Sequence, residues 1–509
     1  MCRDGDRTRW LLSAAIALGL WMAIGGCGDG NNHHGATPTP TVSPIPETFA
    51  DPPEIDSVDG VLDTTMTVQP ETIMVGEQEV TANVYYGLYT PPTWRLRSGD
   101  ILRVKLENMI DMTTNLHTHG LNVSPMGDSD NIFLHINPTE SFSYEIKLPD
   151  SHPPGTFYYH PHIYGTTEFQ IGNGMSGGII VDNDEYPPPS LRGVKQRTML
   201  LKDIQMMQGQ VPDPPMSSNG TTRSVNGLVN PTIVLHPGET ELWRILNIGA
   251  DIYYDVQLDG HVLQEISRDG NSRTRPIDRD HILIPTSARV DVVVSAGAPG
   301  LYLLNTLPID MGPMGDYYPQ VTLATVVVEG PPATPAPVPT KLPAPEDLRG
   351  KPIAKRRKFV FSENMTGDQF CINNMQYDPS RTDTTVQLGD IEEWTIQNCS
   401  GENHVFHIHQ LDFQVIERDG VPQEYIGRQD TVNLPYTTTG DPTTTKVLLP
   451  FTDPVIVGRF VYHCHIGEHE DNGMMQNIEV VDEPVGDAGA LAGLDPDEPT
   501  DCNDFPCPF

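Results

Sequence analysis

Residues 461–475 read VYHCHIGEHEDNGMM. Positions 463–469 alone hold three histidines and a cysteine, in a chain with 17 His and 7 Cys, and Met474 and Met475 follow. Imidazole, thiolate and thioether are transition-metal ligands. Three more His-x-His pairs stand elsewhere: His117/His119, His160/His162 and His407/His409. On a β-strand, residues i and i+2 share a face about 7 Å apart, so each pair offers two imidazoles to one side. Eight imidazoles suit Cu, Zn, Fe or Ni alike. The opposite face is more selective. Cys464 lies between His463 and His465 and so points away from them, and His404 stands at an odd offset from His407. His469 and Met474 follow Cys464 at +5 and +10. Two His, one Cys and a Met make the ligand set of a blue-copper site. Zinc held by Cys and His is the runner-up, but it leaves the Met and the eight facing histidines unexplained.

What must position these side chains is an internal repeat. GDILRVKLEN (99–108), GETELWRILN (238–247) and GDIEEWTIQN (389–398) each run from Gly to Asn through alternating apolar and polar residues. That pattern is a strand leaving a tight turn. A second echo closes each unit: GTFYYHPH (155–162), GLYLLNTL (300–307) and GRFVYHCH (458–465). Counted from the opening Gly, positions +18 and +20 are His117 and His119, then Val256 and Leu258, then His407 and His409. The closing pairs are His160 and His162, Asn305 and Leu307, and His463 and His465. The outer units therefore carry four pairs at matching places, and the middle unit carries none. Units of this size and pattern predict an all-β chain of three Greek-key β-sandwich domains. The expected boundaries are domain 1 at 56–190, domain 2 at 191–330 and domain 3 at 353–485, with a Pro-rich linker at 331–352.

The motifs HTHG, HPH, HVFHIH and HCHIGEHEDNGMM together resemble those of the three-domain multicopper oxidases, the family of laccases, bilirubin oxidases and bacterial cuprous oxidases. The resemblance runs from about residue 56 to 482. It implies cupredoxin-like domains and four copper ions: one type 1, one type 2 and a type 3 pair. It places His117 and His407 on the type 2 copper. His119, His160, His162, His409, His463 and His465 fall on the type 3 pair, and His404, Cys464, His469 and Met474 on the type 1 copper. The middle domain is then a spacer. Electrons from a reducing substrate would pass from the type 1 site through Cys464 to His463 and His465, and dioxygen would be reduced to water. Thr118, Val405 and Gln410 depart from residues common in the family (Trp, Pro and Gly), but none is a ligand.

Dioxygen reduction consumes protons, which carboxylates near the cluster can supply. By spacing, Glu468 and Asp128 match the two acids of the family, with Asp130 the near alternative to Asp128. The substrate is less legible. Phenols or aromatic amines, as for a laccase, are the first expectation. A periplasmic oxidase of Cu(I) or another metal ion, serving copper tolerance, is the second. A copper carrier or a structural relative without chemistry is the non-enzyme alternative, against which the complete ligand sets weigh. A two-domain nitrite reductase would need a trimer to complete its sites. The clusters DMGPMGDYYP (310–319) and IQMMQ (204–208) could collect Cu(I), though methionine is more often a core filler. NNHH (31–34) is a weak metal-binding motif in a flexible segment.

With 68 Asp+Glu against 31 Lys+Arg and a net charge of -37, the chain repels phosphate backbones, so no nucleic acid partner is expected. The basic start, the apolar run LLSAAIALGLWMAI and the following GGC predict a signal peptide at 1–26. IGGC resembles a lipoprotein cleavage box, with Cys27 as the lipidated residue. A Pro/Thr-rich tether at 27–55 and an acidic tail at 486–509 complete the expected layout of an exported, monomeric protein of the periplasm or cell surface. Setting Cys464 aside, Cys371, Cys399, Cys502 and Cys507 allow three disulfide pairings. The sequence-neighbour pairing, Cys371–Cys399 and Cys502–Cys507, is the expectation.

Overall fold

The three Gly-to-Asn echoes are strands. In the computed structural model, which describes residues 47–215, 220–482, 494 and 498–507, they are Ile101–Asn108, Thr240–Asn247 and Ile391–Asn398. Each sits inside one sheet of a two-sheet sandwich. The terminal Asn recurs because its amide stitches loops to the strand end. Asn108 donates to the carbonyls of Met112 and Ile136, Asn247 to those of Ile252 and Ile284, and Asn398 to those of Glu402 and Leu434. All three are wholly buried, where an unpaired carbonyl is costly. The interior strand residues carry the core. Trp243 and Trp394 are fully buried, and each indole N–H donates at 2.7 Å to a buried glutamate, Glu241 or Glu392. An arginine from the neighbouring strand, Arg197 or Arg357, neutralises that glutamate.

The chain is all-β apart from short helical turns, and its three cupredoxin-like sandwiches follow the repeat. The histidine pairs lie on the second sheet of the outer sandwiches. His117–His119 pairs antiparallel with Gly155–His160, setting His117 opposite His160. His404–Ile408 pairs antiparallel with Gly458–Cys464, setting His407 opposite His463. The matching strands of the middle sandwich, Tyr254–Leu258 and Gly300–Thr306, pair in the same way, with Val256 opposite Thr306.

Two short helices follow the closing pairs: Thr167–Gly172 after HPH and Gly467–Asp471 after HCH. They are locked together across the sandwiches. The carboxylate of Asp471 accepts from the backbone N–H groups of Gly165, Thr167 and Glu168 at 2.8–3.1 Å, so one repeat caps the helix of the other.

At the chain's margins the expected tether, tail and cysteine pairing change. The signal peptide, Cys27 and the NNHH motif lie outside the described residues. The proposed tether runs too far, since Thr48 bridges to Thr232 and Glu54–Asp56 pairs with Thr93–Arg97. Within the expected tail, the described residues 498–507 are anchored: Cys507 is joined to Cys371 and Cys502 to Cys399. The neighbour pairing of cysteines is therefore wrong. Residues 502–507 lie back against the third sandwich, with the Asp504 carbonyl accepting from Asn374.

Candidate copper centres

The eight histidines of the four pairs converge between the first and third sandwiches, all essentially buried. His117 stacks on His409 and His119 on His407, each pair with ring centres 4.0 Å apart. His162 and His409 bring Nε2 within 3.4 and 3.2 Å of Nε2 of His463. His465 lies 4.9 Å from His119 by ring centres. Facing ring nitrogens at such distances leave no room for protons on all of them. Burial, reinforced by the neighbouring imidazoles, pushes the His119, His160, His407, His409 and His465 rings well below the usual imidazole range. They are neutral, as metal ligands must be.

Which nitrogen is free is decided by the other one. Nδ1 of His160 donates to the Pro161 carbonyl at 2.8 Å, Nδ1 of His407 to the Asp430 carbonyl at 2.8 Å, and Nδ1 of His117 to Asp130 Oδ1 at 3.0 Å. Nε2 of His117, His160 and His407 is then a buried acceptor with no partner in the protein. An orphaned buried polar atom is costly, and several aimed together make a donor set that fits a metal ion.

A second centre sits on the far face of the last strand. His404, Cys464 and His469 bring one ligand atom each within 4.8 Å of one another. Cys464 Sγ lies 3.7 Å from His404 Nδ1 and 3.5 Å from His469 Nδ1, and accepts the Val405 N–H at 3.4 Å. Met474 is fully buried, and its backbone joins this pocket by bonds to the Cys464 N–H and the His469 carbonyl. Ser400 Oγ at 2.7 Å from His404 Nε2 and Phe370, stacked on His469 at 4.1 Å, hold the two rings. The opposite-face reading of Cys464 and His463 thus holds, and the two centres are joined by one peptide strand.

The two acids are corrected. Glu468 does not reach the histidine cluster. It lines a cleft beside His469 together with Glu168, Asp251 and Glu402. Glu470 is the buried acid at the cluster, with Oε2 3.1 Å from His463 Nδ1 and Oε1 3.4 Å from His162 Nδ1. Burial raises its carboxyl, but His162 and His463 outweigh this and hold it down at about 2. Asp128 is exposed, whereas Asp130 accepts from the Thr118 N–H at 2.8 Å and from Gln410 Nε2 at 2.8 Å, besides holding His117. Gln410 keeps a left-handed backbone, φ 65, at the position where the family commonly has Gly, and spends its side chain on this carboxylate.

Other residues went unread in the sequence. Asp430 lies 3.5 Å from His119 Nε2 and is clamped by both terminal nitrogens of Arg289 at 2.8 and 2.7 Å. The final Gly of HTHG is required there: a Cβ on Gly120, at φ +82, would stand 2.5 Å from Arg289 Nη2. Tyr158 stacks on His119 at 4.6 Å and places its hydroxyl 3.2 Å from His465 Nε2. Nothing in the spacing of Arg289 or Asp430 marks them, because their partners come from different sandwiches. Glu470, by contrast, stands one residue from His469 in the motif itself.

Three family models, each described as multicopper oxidase, match residues 67–186, 195–328 and 351–484. A multicopper oxidase of Staphylococcus haemolyticus is 29% identical over 412 residues, covering 78% of this chain and 83% of that protein. A multicopper oxidase from Campylobacter jejuni, described as a metallo-oxidase, superposes with a TM-score of 0.76 at 24% identity, over 86% of this chain and 96% of that one. A laccase-like multicopper oxidase from Ochrobactrum sp., with oxidase activity towards lignin model compounds, superposes with a TM-score of 0.73 at 26% identity, over 85% and 100%.

Proposed function

The chain belongs to the multicopper oxidase family, and on that premise we propose that it is a laccase-like oxidase whose preferred donor is a cation, a reduced metal ion before an aromatic amine. Copper binding and an oxidase reaction of reducing substrates with dioxygen come with the family. The single observation that favours a cation is the cleft that gives access to His469. It is about 310 Å³ and is lined by Glu168, Asp251, Asp316, Glu402 and Glu468, with Met314 at its edge. Carboxylates bind hard cations and the Met314 thioether suits Cu(I). This divides the Met cluster at 310–319: Met311 is a buried core residue, while Met314 is 44% exposed in the cleft.

The chain's own groups then have these roles. His404, Cys464, His469 and Met474 would hold the type 1 copper. His117 and His407 would hold the type 2 copper, and His119, His160, His162, His409, His463 and His465 the type 3 pair. Bound there, copper supplies reversible one-electron transfer and binding of dioxygen. Glu402, 3.5 Å from His469 Nε2, orients that ring towards the donor cleft. Asp130 holds the proton at His117 Nδ1 and the Cys464 carbonyl the one at His463 Nδ1, while Glu470 sets a negative charge 3.1 and 3.4 Å from the Nδ1 atoms of His463 and His162. Apolar packing around Cys464 keeps water from the sulfur. Export to an oxidising compartment agrees with the two disulfides and places dioxygen and metal ions within reach.

The test is dioxygen uptake by the copper-loaded protein with Cu(I), Fe(II) and a dimethoxyphenol in parallel. A metal ion should exceed the phenol at least tenfold in kcat/KM, and Glu402→Gln or Glu468→Gln should raise KM for the metal ion alone. A phenol preference with KM untouched by both variants would return the assignment to a phenol oxidase.

A further inference from the structure

A second cleft, about 410 Å³, opens between the middle and third sandwiches and is lined by four arginines and no carboxylate: Arg268, Arg273, Arg279 and Arg418. This is a local reversal of sign in a chain with a net charge of -37. Glu265 is the carboxylate bonded behind the arginines, with Asp269 farther off acting on Arg268 and Arg273. Glu265, wholly buried, accepts from Arg273 Nε at 2.7 Å, Arg279 Nε at 2.9 Å and Arg268 Nε at 3.1 Å. The three guanidiniums share the Glu265 carboxylate, while Asp269 is also engaged by Arg289. Arg418, from the third sandwich, donates to the backbone carbonyl of Asn433 at 3.2 Å. His281, also in the lining, is paired with Asp255 at 2.7 Å and adds no uncompensated charge.

The decisive observation is Arg273. Its side chain is 2% exposed, yet Nη1 is buried without a hydrogen-bond partner. A buried charged donor without an acceptor is costly, and an anion entering the cleft can bring one. Gly427 packs against the same arginine, and a Cβ there would come within 2.9 Å of the Ser272 carbonyl and 3.4 Å of Nη1. The guanidinium fork fits planar or tetrahedral oxyanions. Ile282, Leu283 and Val432 form an apolar wall, giving room for an organic body behind the charged group.

We infer that this cleft binds a small, multiply charged oxyanion, its negative group on Arg273 and its remaining charge shared between Arg279 of the middle sandwich and Arg418 of the third. The site is separate from both copper centres and does not depend on the donor assignment. Phosphate esters and polycarboxylates share this chemistry, so calorimetry on the copper-loaded full chain uses pyrophosphate and citrate as separate probes at constant ionic strength. The expected result is one saturable site per chain for at least one probe, with an unfolding midpoint that rises with its concentration because the ligand bridges two sandwiches. Arg418→Gln and Arg279→Gln should each weaken binding at least tenfold while leaving copper content and blue absorbance unchanged. The probe that binds identifies the oxyanion. No saturable heat with either probe, or equal affinity in wild type and both variants, overturns the inference.

Discussion

Glu468 and Glu470 are two positions apart in one motif and serve different centres. In the turn Gly467–Asp471 each residue rotates by about 100°, so residues two apart point to nearly opposite sides. Glu470 therefore faces the histidine cluster and Glu468 the donor cleft. Glu470→Gln should slow dioxygen reduction by about 10²-fold while keeping the blue absorbance, because it removes the buried negative charge beside His463 and His162. Glu468→Gln should leave the dioxygen half-reaction intact. Stopped-flow reoxidation of the fully reduced protein separates the two, and equal rates for both variants would contradict the division. Asp251 makes a pH prediction in the same cleft. Burial above all, then the charges of Asp203 and Glu468, push its carboxyl up to about 7. Below that pH it is neutral and above it anionic. KM for a metal-ion donor should therefore fall between pH 6 and 8, while KM for a neutral phenol stays level. The linkage to stability has the opposite sense. A raised folded-state value means the contribution is fully present below the unfolded pKa, and it is lost as pH rises through about 7.

At the scale of elements, the end of the chain is a strap. Cys502 closes a loop of sequence separation 103 on Cys399, and Cys507 one of 136 on Cys371. Cys371 stands beside Phe370, which stacks on His469, so the strap braces the pocket of His404, Cys464 and His469 through one residue. In the chain-entropy view a loop of about 100 residues contributes about 4–5 kcal/mol. The double variant Cys399→Ser/Cys502→Ser should lose stability of that order in denaturant unfolding, with the larger fraction of native copper retained at low denaturant. An unchanged midpoint would show that the strap is not holding the fold. Asp471 works similarly between helices: by accepting three backbone N–H groups of the first sandwich it ties the two histidine-bearing units beside the cluster.

For the whole molecule, the middle sandwich is more than a spacer. Its Arg289 donates to the Thr156 carbonyl of the first sandwich at 3.2 Å and clamps Asp430 of the third. It is fully buried, so removing it strands a carboxylate beside His119 and His407. Arg289→Met should cost about 3–5 kcal/mol, the usual penalty for breaking a buried pair, and should lower copper occupancy of the cluster more than of the Cys464 site. Metal analysis with the blue absorbance as internal reference measures this, and equal loss at both sites would mean general unfolding instead. The same sandwich also supplies Asp251 to the donor cleft and three arginines to the oxyanion cleft.

The sequence by itself determined the repeat, the all-β class, the four His-x-His pairs of the outer units and the division of the last strand into two faces. All of these follow from strand periodicity and from residue types that have few other uses in such a pattern. Only the tertiary structure put Glu470, rather than the expected Glu468, beside the histidine cluster and Asp130, rather than Asp128, beside His117, and chose among the three cysteine pairings. It alone brought Arg289 to Asp430 and four arginines into one cleft. The physical reason is range. Alternation along a strand is local and survives in the string of letters. The direction of a side chain after a tight turn, and the identity of a partner 100 or more residues away, are fixed only when separate sandwiches pack and every buried charge must find its counter-group.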